Sequence, residues 1–368
     1  MSATGLPTVL FVVTPVPLGG SNRSMVTLLK SLEGRVHRVL ASPGFGDFRE
    51  LVIAEGLSEE LVDLPRKPGS AFDRLLRVLS GLKIAWWAMR NRRRVRAIHA
   101  NALTGLNMSL PAALVSRLRT VVWIHDPVGS QWGSRLGPVI RRLLPGLRIA
   151  AVSRTAEEVA LDNGLCAEGD AVLIPNPIDP DDVLAPRKSP GDEVVIGILG
   201  GASERKGFDL LPAAVDSLSN QSVKWMLYVS ERVEPGMEPT WKSLRAQPSD
   251  RVVVAEKVSD VRKAYEGLDI VFCPSRNESF CRVAAEAMLN GIPVVGSDIE
   301  PLRALLGNND AGLLFPVGDG AAASGSLQRL VVDPQLRASL GREGKKRAAR
   351  FKPEAIAGQL MGLYGINR

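Results

Sequence analysis

Cysteine, histidine and tyrosine occur only three times each among 368 residues. Cys166, Cys273 and Cys281 show no C-x-x-C spacing, so they spell neither a zinc site nor a disulfide framework, and they suit a reducing compartment. His37, His99 and His125 are too scattered to gather around zinc, and no metal is expected. No apolar run approaches the roughly 18 residues of a membrane-spanning helix. The opening MSATGLPTVLFVV has no basic segment ahead of its apolar stretch, which argues against a signal peptide. These absences predict a soluble cytoplasmic chain, at most peripheral on the inner face of a membrane. Excess acid is absent too: residues 1–180 hold 22 Lys and Arg against 15 Asp and Glu, whereas residues 181–368 hold 24 against 24. The whole net charge of +7 therefore sits in the first half, as expected where one half meets an anionic partner.

What the chain does contain is enough apolar material for two cores, since one core rarely serves beyond about 250–300 residues. Short β-branched runs recur at Thr8–Thr14, Val36–Ser42, Arg94–Ala100, Thr120–His125 and Arg148–Ser153, with helical apolar spacing between them. Pro15–Gly20 reads as a loop, after which Ser21 or Asn22 can cap a helix through Leu32. A second series starts at Glu193–Gly200 and continues at Lys224–Val229, Arg251–Val254, Asp269–Cys273 and Pro293–Gly296. Alternating strand and helix predicts an α/β fold with doubly wound parallel sheets. The Pro- and Asp-rich stretch Asn176–Gly191 reads as the linker, giving domains at 1–180 and 181–352, and Pro353–Tyr364 as a closing helix within a tail, 353–368, that packs back on the first domain.

The most informative segment is PSRNESFCRVAAEAMLNGIPVVGS, Pro274–Ser297. A strand ends in a polar loop, and a helix is expected from about Ser279 to Asn290, with Gly291 as its stop. Glu278 and Glu286 stand eight residues apart, about 12 Å along a straight helix, and can grip opposite ends of one elongated ligand. The N–H groups of Phe280, Cys281 and Arg282 would offer positive potential to a phosphate between them. The plainer reading is a glutamate complementing the helix dipole and a solvated one further on.

This stretch resembles the E-x7-E region of retaining glycosyltransferases of the GT-B fold, glycosyltransferase family 4, and the resemblance extends along the chain. AVSRTAEEVA around Ser153, VLIPNPID (Val172–Asp179), IGILGGASERKGFDLL (Ile196–Leu211) and AGLLFPVGD (Ala311–Asp319) are similar to further family segments, in the same order. The resemblance implies two Rossmann-like domains facing across a cleft. It implies transfer of a sugar, with retention, from a UDP- or GDP-linked donor to a glycan or lipid-linked acceptor, without a metal or other cofactor, in cell-surface polysaccharide or glycolipid biosynthesis. It assigns Lys206 to the departing diphosphate, Glu278 to the donor sugar, Glu286 to the ribose, His125 to the neighbourhood of the transferred sugar, and Gly19 and Gly20 to close backbone approach. His99, ending another strand, can line the same cleft. The family's Arg upstream of the Lys is replaced by Gly200 or Gly201, so Arg205 either takes its role or Lys206 and helix ends act alone. Cys281 stands where the family usually has Gly, and Arg282 where it has an aliphatic residue. These departures keep open a non-catalytic nucleotide-sugar-binding subunit, and the fold also admits a GT-B nucleotide-sugar epimerase.

Arg74–Arg96 carries eight Lys and Arg and no acid, with Leu75, Leu76, Leu79, Leu82, Trp86 and Met89 at near-helical spacing. It reads either as a basic amphipathic helix lying on an anionic membrane surface or as a core-facing helix with a solvated basic face. No nucleic-acid-reading motif accompanies the charge, so nucleic acid is not expected as a partner.

Overall fold

The structure, a computed structural model, describes residues 5–14, 19–65, 72–125, 136–179, 193–255 and 261–366. The chain divides into two compact units, Met1–Pro177 with Phe351–Arg368, and Ile178–Arg350. From residue 180 onward the expected linker Asn176–Gly191 lies outside the described residues.

The first unit alternates β1 (Thr8–Val12), α1 (Gly20–Ser31), β2 (His37–Pro43), α2 (Asp47–Ala54), β3 (Glu60–Leu64), α3 (Asp73–Arg90), β4 (Val95–Asn101), α4 (Ala102–Ser116), β5 (Arg119–Ile124), α5 (Leu136–Leu143), β6 (Leu147–Ala151), α6 (Arg154–Asp162) and β7 (Val172–Leu173). Its seven strands lie in the order β3-β2-β1-β4-β5-β6-β7, every pair parallel. Every residue of β1 is buried, as expected of a strand covered by helices on both faces. The helix after β1 opens on Gly20 with Gly19 as N-cap, not on Ser21 or Asn22. Asn22 is buried inside the first turn, and Ser24 donates back to the Gly20 carbonyl at 3.0 Å.

The second unit runs β8 (Val194–Ala202), α7 (Leu211–Ser217), β9 (Val223–Val233), α8 (Glu238–Arg245), β10 (Val252–Val254), β11 (Ile270–Cys273), α9 (Arg282–Leu289), β12 (Val294–Ser297), α10 (Glu300–Leu306), β13 (Gly312–Phe315), α11 (Gly320–Val332) and α12 (Pro334–Ala348). Its sheet, order β10-β9-β8-β11-β12-β13, is again all parallel. Trp225, Phe272 and Phe315 fill its core, with the Trp225 and Phe272 rings 6.3 Å apart. The chain then returns as α13 (Pro353–Tyr364) to the first unit, where the Leu363 carbonyl accepts from Arg119 at 3.2 Å. Both units are thus doubly wound Rossmann-like domains. Among the described residues no helix is long and apolar enough to cross a membrane.

Candidate functional site

In a doubly wound sheet, ligands collect outside the carboxyl ends of the strands where the winding reverses. In the second unit that point lies between β8 and β11, which pair through Ile196–Ile270 and Gly197–Val271. β8 reaches it as Gly200–Gly201, two residues whose lack of side chains bares the backbone. A tight turn, Glu204–Lys206, follows, closed by Ser203, whose hydroxyl accepts from the Lys206 N–H at 3.3 Å. Gly207 has φ +68°, and a Cβ there would lie 1.9 Å from the Pro274 carbonyl oxygen. Only glycine lets the Lys206 turn press against the end of β11.

A second device fixes that contact. Arg276, in the loop after β11, binds both carboxylate oxygens of Asp209 at 2.6 and 2.7 Å and donates to the Glu204 carbonyl at 2.8 Å. Its own N–H donates to the Arg205 carbonyl at 2.8 Å. The pairing holds the Asp209 carboxyl below its ordinary range and the guanidinium above its own. Sequence reasoning missed this latch because its halves are 67 residues apart and no spacing links them.

The pocket so formed is lined by Gly200, Gly201, Lys206, Pro274, Ser275, Glu278 and Cys281, among others. Glu278 is buried, accepts from the Ser275 hydroxyl at 2.9 Å and is ion-paired with the Lys206 ammonium. Arg205 stands 3.9 Å from the same carboxylate and donates to the Asn277 carbonyl at 2.9 Å. Two cations around one acid leave the cluster net positive. The charges are held by hydrogen bonds in a partly buried place, where they act more strongly than in water.

The helix expected from Ser279 begins three residues later, at Arg282. Cys281 precedes it in the left-handed region, φ +61° and ψ +69°, a conformation that excludes it from the helix and suits glycine better. Glu278 therefore sits on the loop, and the straight-helix separation from Glu286 does not apply. Phe280 and Cys281 are buried at the helix entrance. The Cys273 thiol is pushed well above its ordinary range by its hydrogen bond with Cys281 and by burial. Arg282 does not bring a bare charge: its guanidinium meets Glu286 at 2.9 Å. Glu286 also accepts from the buried Tyr265 hydroxyl at 2.7 Å, so its oxygens are engaged on the buried side of α9 and it is not among the pocket's lining. The structure thus gathers Lys206, Glu278 and Cys281 in one pocket with Arg205 beside them, and sets Glu286 with Arg282.

Gly19, Gly20 and His125 belong to the first unit. Gly19 caps α1, and residues 15–18 before it lie outside the described residues. His125 follows β5, buried, its ring 4.4 Å from that of Trp123; Asp126 and Pro127 lie outside the described residues. His99 does not line an opening. It is fully buried among Phe11, Trp123 and Tyr364, with the Tyr364 hydroxyl 2.7 Å from Nδ1. Burial, reinforced by His125, pushes its pKa down to about 3. Among the described residues no group of three or more His, Cys, Asp or Glu could hold a metal ion.

Two consecutive Rossmann-like units, the second with a charged pocket at its reversal point, are the architecture of the GT-B fold. The solved structures of a glycosyltransferase from Rickettsia africae ESF-5 (TM-score 0.82, 16% identity, 98% of each chain) and of Anabaena HepE in complex with UDP (TM-score 0.78, 20% identity, 96% of this chain and 98% of that one) share this fold. Residues 18–182 match Glycosyltransferase Family 4 and residues 181–347 match Glycosyl transferases group 1, and the chain belongs to these glycosyltransferases. The lipopolysaccharide core biosynthesis mannosyltransferase LpcC of Rhizobium leguminosarum bv. viciae is 26% identical to it over 286 residues, 76% of this chain and 77% of that one.

Proposed function

We propose that this glycosyltransferase moves a sugar from a UDP- or GDP-sugar to a glycan or lipid-linked acceptor, with retention of configuration and without a metal. The observation that carries the reading is the Lys206–Glu278–Ser275 cluster against the bare Gly200–Gly201 backbone at the reversal point of the second sheet. A diphosphate entering there would draw the Lys206 ammonium away from Glu278. The freed carboxylate would then accept hydroxyls of the donor sugar. As the glycosidic bond to the phosphate breaks, Lys206 and the N-terminus of α9 stabilise the charge that grows on the leaving oxygen. That oxygen can take the acceptor's proton, so no enzymic nucleophile is required.

The acceptor side of the proposal rests on the relative LpcC, which builds a lipopolysaccharide core, and on the basic first half of this chain. We place the enzyme at the cytoplasmic face of an anionic membrane, docked through α3. The row Leu75, Leu79, Leu82, Trp86 and Met89 is exposed, and the buried side of α3 is formed instead by Ser80, Gly81, Ile84, Ala85, Trp87 and Ala88. Apolar residues on the outside of a basic helix favour the membrane reading over the core-facing one.

The test of the catalytic reading is Lys206→Ala with Lys206→Arg as the conservative partner, assayed with UDP- and GDP-sugars at saturating donor. The alanine variant is expected to lose about 10²–10³ in kcat, the usual scale for one donor to developing charge, and the arginine variant to recover part of it. An unchanged rate in Lys206→Ala, or a product of inverted configuration by NMR, would overturn the assignment.

A further inference from the structure

α3 and α4 pack side by side, and where they meet, Gly81 faces Pro111; a Cβ on Gly81 would come 3.1 Å from the proline ring. Beside this contact runs a groove of about 240 Å³, walled by Val78, Gly81, Leu82, Met108 and Pro111, with the polar Arg77, Thr104 and Asn107 also in its lining. Val78 and Leu82 belong equally to the exposed apolar face of α3, so the groove opens directly onto that face. At its other margin the Thr104 hydroxyl hydrogen-bonds that of Thr14 at 2.8 Å, just beyond the carboxyl end of β1. The groove therefore leads from the outward face of α3 toward the point where the first sheet reverses its winding, between β1 and β4. Its volume falls below the roughly 300–1,000 Å³ of pockets that enclose a whole small ligand, and its walls are mainly apolar. Walls of that kind suit a stretch of one hydrocarbon chain better than a sugar ring, whose hydroxyls would find few partners there.

The surroundings say where such a chain would come from. Phe72, Leu75, Val78, Leu79, Leu82 and Trp86 form an exposed apolar row. Arg90 stacks over Trp86 at 5.7 Å, a pairing found where an aromatic ring meets a charged interface. Among the described residues Arg74, Lys83, Arg92, Arg93 and Arg96 have no ion-pair partner, and Asp73, the segment's acid at the helix start, is neutralised by Arg77. An apolar row fringed by unpaired cations complements an anionic bilayer surface in both hydrocarbon and charge.

We propose that the α3–α4 groove takes one acyl chain of a lipid from the anionic bilayer on which α3 rests. The groove would then guide the membrane-borne acceptor toward the reversal point of the first sheet. This inference rests on the membrane docking proposed above, and the two are separable by experiment. The full chain is titrated calorimetrically with dihexanoyl phosphatidylglycerol below its micelle concentration, and sedimented with vesicles of phosphatidylcholine alone or mixed equally with phosphatidylglycerol. Wild type is expected to bind the monomeric lipid at one saturable site. Val78→Trp, which fills the groove from an exposed position, should weaken that site at least tenfold and still sediment with the mixed vesicles; Leu82→Trp provides a second blocking variant if the first melts early. Trp86→Glu should lose the vesicles and keep the monomer. No saturable monomer binding, or binding untouched by both groove variants, overturns the groove, whatever the vesicles show. Equal recovery with neutral and mixed vesicles overturns the docking surface instead.

Discussion

Apart from the extra edge strand β7, the two sheets repeat one strand order, yet the points where they reverse carry opposite chemistry. In the second unit, β8 and β11 end in bare glycine backbone, a lysine, a buried glutamate and a guanidinium, all cross-linked. In the first, β1 and β4 end in neutral groups: the Thr14–Thr104 hydroxyl pair, buried Asn101, and an aromatic cluster that holds His99 uncharged. A shared topology supplies a place for a ligand, and the side chains decide its charge. On the function proposed above, a net positive pocket suits a donor that leaves as an anion, and the neutral edge suits an acceptor that arrives as an alcohol.

Substitutions that act on one edge and spare the other sharpen this contrast. The largest stability effect is expected from Gly207→Ala, where the left-handed backbone and the 1.9 Å approach to Pro274 act together. About 3–4 kcal/mol should be lost in urea unfolding of the second unit. Gly318→Ala, at φ +80° with nothing within 4 Å, isolates the backbone part and should cost about 1 kcal/mol. Equal losses would mean that the contact with β11 does not hold the Lys206 turn.

His99 gives the next effect, and it belongs to the neutral edge. The folded protein keeps His99 unprotonated down to about pH 3, whereas the unfolded chain takes up that proton near 6.5. Between those values the unfolded state binds more protons, so stability falls on acidification, by up to about 1.4 kcal/mol per pH unit below 6.5. The unfolding midpoint of the first unit should drop from pH 7 to pH 5 in wild type and drop less in His99→Phe. An identical slope in the variant would show that another group titrates. The smallest effect is expected from the glycine variant of Cys281. Cys281→Gly relieves a left-handed residue but removes a buried thiol, and should stay within about 1 kcal/mol of wild type. Cys281→Val places a β-branched side chain at φ +61° and should cost about 2 kcal/mol or more.

Much of this organisation is legible in the residues because buried parallel strands write themselves as β-branched runs. The helix Pro353–Tyr364 stands where the closing segment predicts one, and ten strands follow from those runs alone. β3, β7 and β13 do not. β3 alternates exposed and buried residues at the sheet's edge, β7 has two residues, and β13 is a four-residue run cut off by Pro316. Lys206 and Glu278 are visible because their segments resemble family motifs, each in the stretch that follows a strand. What stays hidden depends on contacts between distant segments: the Arg276–Asp209 latch, the engagement of Glu286 by Tyr265, and the left-handed turn at Cys281 that delays α9. The outward apolar row of α3 is hidden for a related reason. Helical periodicity shows that a face exists, and only the small residues on the opposite side, packed against α4, decide which face turns inward.

The return of α13 carries a consequence for biogenesis. Tyr364 closes the aromatic cluster around His99 and Phe11, so the first sheet lacks part of its interior until residue 364 has left the ribosome. The second unit is encoded entirely inside that interval. The domain whose codons are read first is the one finished last, and a nascent chain stalled before α13 would expose an unfilled core in the first unit although every residue of the second has been made.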